Sequence, residues 1–151
     1  MQKLSSLVIA FCISAMIHAQ DTTTFNFGFN HLAISVKDVD ASAAFYIKTL
    51  HLPEITNRSK LEGVRWFSIG EGQELHLISF IKEKVTINKA VHLALTTPKF
   101  DDFVRSIEAL KVPYSDWPGT GQKVSIRADG IKQVFFQDPD GYWIEVNSVK
   151  E

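Results

Sequence analysis

Four side chains in this 151-residue sequence are of the types that hold a divalent metal through nitrogen and oxygen: His31, His76, His92 and Glu145. Their spacing makes them a set. His31-Leu32-Ala33-Ile34-Ser35 recurs as His92-Leu93-Ala94-Leu95-Thr96, about 60 residues later. Gly72-Gln73-Glu74-Leu75-His76-Leu77 likewise faces Gly141-Tyr142-Trp143-Ile144-Glu145-Val146, which makes His76 and Glu145 equivalent positions. A lone His on a strand is usually a hydrogen-bonded structural residue, and a lone Glu near a strand end is usually solvated. Four coordinating types at four symmetry-related positions favour the metal reading instead. Such a donor set accepts zinc, nickel, cobalt, manganese or iron(II).

The elements that must position these residues follow from the same repeat. A third match, Leu50-His51-Leu52-Pro53-Glu54 with Leu110-Lys111-Val112-Pro113-Tyr114, divides the chain near Thr86-Ala90 into a first module over 27–84 and a second over 90–149. Each first strand alternates. Leu32, Ile34 and Val36 oppose His31, Ala33 and Ser35, and Leu93 and Leu95 oppose His92, Ala94 and Thr96. Asp38 caps a first helix carrying Ala43, Tyr46, Ile47 and Leu50, and Thr97-Pro98 opens a second with Phe100, Phe103, Val104, Ile107 and Leu110 at helical spacing. Strand-like runs come next: 55–57, 64–69 and 74–80 in the first module, 125–127, 134–137 and 142–148 in the second. The order is βαβββ twice. That predicts an α+β fold whose helices cover one side of a mostly antiparallel, cupped sheet and leave the histidine-bearing side free.

Composition narrows the partners. Sixteen Lys and Arg balance 17 Asp and Glu, and no basic block stands out, which argues against nucleic acid, whose binding rests on clustered cations. Eleven Phe and three Trp imply a real core. The start, Met1-Gln2-Lys3, an apolar run from Leu4 to Ile17, then His18-Ala19-Gln20, has the parts of a secretory signal peptide over 1–19. The apolar run is shorter than the roughly 20 residues of a membrane span, so the expectation is export to the periplasm or medium, with no stable membrane insertion after removal. The only cysteine, Cys12, lies inside that run, so the mature chain, a single domain over 20–151, offers neither thiolate chemistry nor a disulfide.

Several of these segments resemble the vicinal oxygen chelate (VOC) superfamily, the family of glyoxalase I, bleomycin resistance proteins and extradiol dioxygenases. They are Asn30 to Val36, Phe45-Tyr46 with Leu50, Glu74 to Leu77, Val91 to Leu95, and Phe136-Gln137-Asp138-Pro139-Asp140-Gly141-Tyr142-Trp143-Ile144-Glu145. The resemblance covers nearly all of the mature chain and implies paired βαβββ modules around a divalent metal ion held by His31, His76, His92 and Glu145. It implies one cup closed within the chain or cups shared between the copies of a homodimer, since both occur among the relatives. His76 stands where typical glyoxalase I has glutamate, which makes a site with one carboxylate a stronger Lewis acid. Ser35 and Phe80 stand where glyoxalase I has the arginine and asparagine that grip glutathione, so the tripeptide grip is missing.

The chemistry this implies is proton movement beside a metal-held oxygen of a small oxygenated substrate, a glyoxalase I-like lyase or isomerase reaction with Glu145 as the catalytic base. Arg65 and Arg127 are candidates to orient an anionic substrate, as is Lys132. Trp66, Trp117 and Trp143 are candidates to wall the cup, although surface or packing is the commoner role for each of these residues. Residues 117–122 form a candidate lid. His51 is expected on the surface. Two other classes remain: an iron(II) extradiol-type dioxygenase using His31, His92 and Glu145, and a non-catalytic small-molecule-binding module of the bleomycin-resistance kind.

Overall fold

The computed structural model describes residues 27–149 apart from Lys82 and Lys84; the expected signal peptide lies outside the described residues. The elements run β1 (His31–Ser35), α1 (Val39–Leu50), β2 (Glu54–Ile55), β3 (Val64–Gly70), β4 (Gln73–Ile78), β5 (His92–Thr96), α2 (Phe100–Ala109), β6 (Ser125–Ile126), β7 (Lys132–Gln137) and β8 (Trp143–Asn147). They form two four-stranded sheets, ordered β1-β4-β3-β2 and β5-β8-β7-β6. In each, the first strand runs parallel to the last and the other pairings are antiparallel. The doubled βαβββ order and the α+β class are therefore present.

Local chemistry explains the boundaries. The Asp38 carboxylate accepts the N–H groups of Asp40 and Ala41 and so starts α1. His51 ends it in the left-handed conformation (φ 53°), and its repeat equivalent Lys111 does the same after α2 (φ 57°). At 138–141 Gly141 takes a φ of 90°, which side chains resist, while Asp138 Oδ1 accepts the N–H groups of Asp140 and Tyr142. β4 stops at Ile78, short of the expected Phe80, where the chain turns away and leaves Phe80 exposed.

The packing of the two modules decides where the candidate ligands go. The apolar faces of both sheets, with Ile34, Phe67, Leu75 and Leu77 from the first and Val134, Phe136, Ile144 and Val146 from the second, belong to one continuous core. The helices sit in it, with Phe45 of α1 and Phe103 of α2 both against Phe136. Four polar contacts lock the first module to residues 138–142 of the second: Tyr46 Oη donates to Asp138 (2.9 Å), Ser42 Oγ and the Lys37 N–H donate to Asp140 (2.8 and 3.0 Å), and the Ser35 N–H donates to Tyr142 Oη (3.2 Å). The modules thus share their helix-bearing sides, and the histidine-bearing sides face outward. No helix among the described residues is long and apolar enough to cross a membrane.

Candidate metal half-sites

Strand register brings the first pair together. Ala33 lies opposite His76 and His31 opposite Glu74 on the neighbouring strand, while Trp66 of β3 lies opposite His76 on its other side. Alternation puts all these side chains on the outward face. The His31 and His76 rings stack with centroids 4.4 Å apart, and His76 stacks on Trp66 at 4.0 Å and 7°. His31 Nδ1 is 2.7 Å from the Asn30 side-chain oxygen. An amide oxygen only accepts, so Nδ1 carries the proton and a neutral His31 presents its lone pair at Nε2. His76 is held differently: its Nε2 donates to Glu74 Oε2 (2.8 Å), and both Glu74 oxygens accept from Arg58 Nη2 (2.7 and 2.9 Å). The hydrogen bonds from His76 and then Arg58 hold the Glu74 carboxyl below the usual carboxylate range.

The second pair lies on the outward face of the other sheet. Trp143 is in register with His92 and Glu145 with Ala94. His92 Nδ1 donates to the Lys89 carbonyl (3.0 Å), and its Nε2 lies 3.3 Å from Glu145 Oε2. With the Nδ1 proton so placed, a neutral ring turns a lone pair toward a carboxylate oxygen and a protonated ring turns an N–H toward it. Two acceptors at that distance repel each other unless a proton or a cation lies between them. Asn147 Nδ2 donates to the other carboxylate oxygen, Oε1 (2.9 Å), leaving Oε2 as the free one. Trp117 and Phe135 present their edges to the His92 ring at 6.2 and 5.7 Å.

The expected four donors therefore come together as two pairs. Among the described residues no group of three or more His, Cys, Asp or Glu is close enough to hold one metal ion. The physical reason is the shared core, which directs the two outward faces apart. Each pair has donors that suit a divalent ion, and two donors do not hold one on their own. A cavity of about 660 Å³ opens between the β3–β4 turn, β5 and α2, and it touches neither pair.

The candidate substrate-binding residues divide. Trp66 stacks in the first pair, and Trp117 and Trp143 flank the second. Arg65 lies on the opposite face from Trp66, with Nε and Nη2 bound to Glu54 (2.8 and 2.6 Å) and Nη1 to Asp40 (2.9 Å). Arg127 pairs with Asp129 near the β6–β7 turn, and Lys132 pairs with Asp101. The structure brings none of these three cations to either pair. Two cations that strand periodicity does not flag stand there instead. Arg58 lies 4.6 Å over the Trp66 ring, and Lys89 lies beside Phe135 and Trp143. The 117–122 segment is pinned rather than loose: Asp116 Oδ1 accepts the Gly119 and Thr120 N–H groups, and Oδ2 pairs with Lys123.

Comparison with known proteins agrees with this architecture. The model of the Glyoxalase/Bleomycin resistance protein/Dioxygenase superfamily matches residues 28–146. Glyoxylase I 4 of Arabidopsis thaliana is 26% identical over 125 residues, covering 78% of this chain and 68% of the plant protein. The crystal structure of a glyoxalase family protein from Bacillus anthracis superposes with a TM-score of 0.68 at 23% identity, covering 84% of this chain and 98% of that one. The lactoylglutathione lyase of Agrobacterium tumefaciens superposes with a TM-score of 0.61 at 22% identity, covering 80% and 92% of the two chains.

Proposed function

The chain belongs to the Glyoxalase/Bleomycin resistance protein/Dioxygenase superfamily, and from that premise we propose that two copies of it form a metal-dependent, glyoxalase-like enzyme. His31 and His76 of one copy would meet His92 and Glu145 of the other around each divalent ion. The observation that carries this reading is the division of the donors into two complementary pairs held on outward faces by one shared core. The family's fold alone does not predict that division. Exposed Val91, next to His92, fits a surface that another chain covers.

A bound zinc, nickel, cobalt or manganese ion would supply Lewis acidity toward a substrate carbonyl. The protein's own part is proton handling and exclusion of water. Asn147 ties down Glu145 Oε1, so Oε2, once off the ion, would accept the proton from the carbon next to the carbonyl and return it to the neighbouring carbon. Trp66 on one half and Trp117 and Trp143 on the other wall the space where this happens. Ser35 and Phe80 supply no glutathione grip, so the substrate is a small oxygenated compound other than a glutathione adduct. Residues 1–19 as an export signal would place the protein in the periplasm or medium, with little reduced glutathione at hand.

One contact favours a second reading. His76 is tied to Glu74 through Nε2 and has only Nδ1 to offer, whereas His31 and His92 can each present Nε2 and Glu145 keeps Oε2. This two-histidine, one-carboxylate set suits iron(II) of the extradiol dioxygenase type. The test is complementation. His31→Ala and Glu145→Ala chains are purified separately, mixed and assayed for mass and metal content. Sites shared between copies restore up to one intact site per mixed dimer. Restoration of none, or a monomer that keeps one metal per chain, defeats the shared-site reading. Iron uptake with oxygen consumption on catechols would select the dioxygenase, whereas no metal uptake by wild type would leave the binding module.

A further inference from the structure

Lys89 is the one cation among the described residues whose ammonium lies within 6 Å of three aromatic rings: Phe135 at 4.6 Å, Trp143 at 4.8 Å and Trp117 at 5.7 Å. The group is also fully used. An ammonium has three N–H donors, and Lys89 Nζ reaches three oxygens, Ser115 Oγ at 3.1 Å, the Asp116 carbonyl at 2.5 Å and the Trp117 carbonyl at 3.0 Å. Two of those acceptors are consecutive backbone carbonyls, which cannot turn away as a side chain can. The same residue's carbonyl accepts from His92 Nδ1 at 3.0 Å. One residue therefore grips the imidazole through its backbone and the Ser115–Trp117 segment through its side chain.

We propose that Lys89 is a positioning residue that holds the Trp117 ring beside His92 as a fixed wall of the His92–Glu145 pair. This rests on that pair being half of the reaction site. Trp117 is itself 48% exposed, so core packing does not explain its placement, whereas Phe135 beneath it is 1% exposed. A lysine on a solvated surface keeps its rotamer freedom; this one gives it up to satisfy three acceptors beside a candidate metal ligand. The wall keeps water from the space next to Glu145 Oε2 and limits how far the His92 ring can tilt.

The test uses the full chain labelled with 5-fluorotryptophan, whose three signals are assigned by single Trp→Phe changes, together with the ring nitrogen signals of His92. Lys89→Met keeps the apolar stem and removes the donors. It should move the Trp117 signal toward its solvent-exposed position and shift the His92 ring signals, while Trp66 on the other sheet stays as in wild type. Added Co2+ should then bind about tenfold more weakly, the usual scale for losing a group that orients a ligand. Lys89→Arg, which keeps the charge but replaces three convergent donors with a planar fork, should lie between and covers the case in which the methionine variant fails to fold. A Trp117 signal that does not move, or one that moves with Co2+ affinity unchanged, overturns the proposal. If wild type takes up no Co2+, the metal reading is what fails, and the His92 ring signals of metal-free Lys89→Met decide this one: unshifted, they overturn it.

Discussion

Tyr46→Phe is the sharpest probe of the packing that divides the site. The ring stays buried at 1% exposure, and the change removes only the Oη donor to Asp138 Oδ2. Asp138 Oδ1 keeps the N–H groups of Asp140 and Tyr142, so one carboxylate oxygen loses its partner inside the module junction. A hydrogen bond to a charged acceptor contributes about 1.5–3 kcal/mol, so the expected loss at neutral pH is about 2 kcal/mol, or about 8 °C in Tm for a domain of this size. The pH dependence has a definite sign. Burial pushes the Asp138 carboxyl above the usual range, with the Tyr142 N–H, the Tyr46 hydroxyl and the Asp140 N–H pulling it back. A carboxyl raised by folding makes the fold less stable as pH rises from its unfolded value through its folded one. Removing the hydroxyl raises it further, so the variant's deficit is largest above that window and shrinks as the pH falls through it. Urea denaturation of both proteins from neutral pH down to about pH 4 measures this. A deficit under about 0.5 kcal/mol at neutral pH, or one that does not change with pH, would refute the argument that this buried contact ties the modules together.

Three further outcomes are expected. Phe136→Ala, which removes a ring packed by both Phe45 and Phe103, should cost about 3–5 kcal/mol in urea denaturation, and a loss near 1 kcal/mol would contradict the single shared core. Arg58→Ala should leave the protein less stable than wild type at neutral pH, because the lowered Glu74 carboxyl contributes stability above the carboxylate range that is lost as pH falls; the two proteins should converge in acid, and parallel stability curves would argue against it. Asp116→Ala should speed amide exchange at Gly119 and Thr120 by about tenfold or more while leaving α1 protected, and unchanged exchange would show that the loop does not depend on that carboxylate.

The repeat made the fold legible because it was written in periods. Alternation in His31–Ser35 and His92–Thr96 fixed which face each histidine occupies, and Asp38 and the Asp138–Gly141 turn marked ends that the structure keeps. Alternation also separates Arg65 from Trp66: as neighbours on one strand, they cannot both line the same face. Glu74 was within reach of the same rule, two residues before His76 and on its side. Arg58 and Lys89 were not, since they come from loops whose path no period records. Least legible was the separation of the two pairs. Symmetry relates His31 to His92 and His76 to Glu145 without saying whether one module turns its face toward the other. That depends on long-range contacts such as Tyr46 with Asp138, which no local pattern encodes.

Those contacts also give the Asp138-Pro139-Asp140-Gly141 turn a part beyond hairpin geometry. Its two carboxylates receive Tyr46, Ser42 and the Lys37 N–H from the start of the first module, so the turn that leads into Trp143 and Glu145 is the same one that seats α1. β1 and β5, the strands that carry His31 and His92, are the outer strands of their sheets and leave one edge each without a ladder partner among the described strands. Free edges are a liability that proteins cover. A second copy related by a two-fold axis would cover both at once, setting β1 of each beside β5 of the other, and the same operation would unite each histidine pair with a histidine–carboxylate pair. Every such contact is made twice, so a modest edge contribution is doubled while the cost of association is met once. The Asp138–Tyr46 contact belongs to the packing in which the helix-bearing sides of the two modules meet. The buried clamp and the divided donors are thus two consequences of one packing choice.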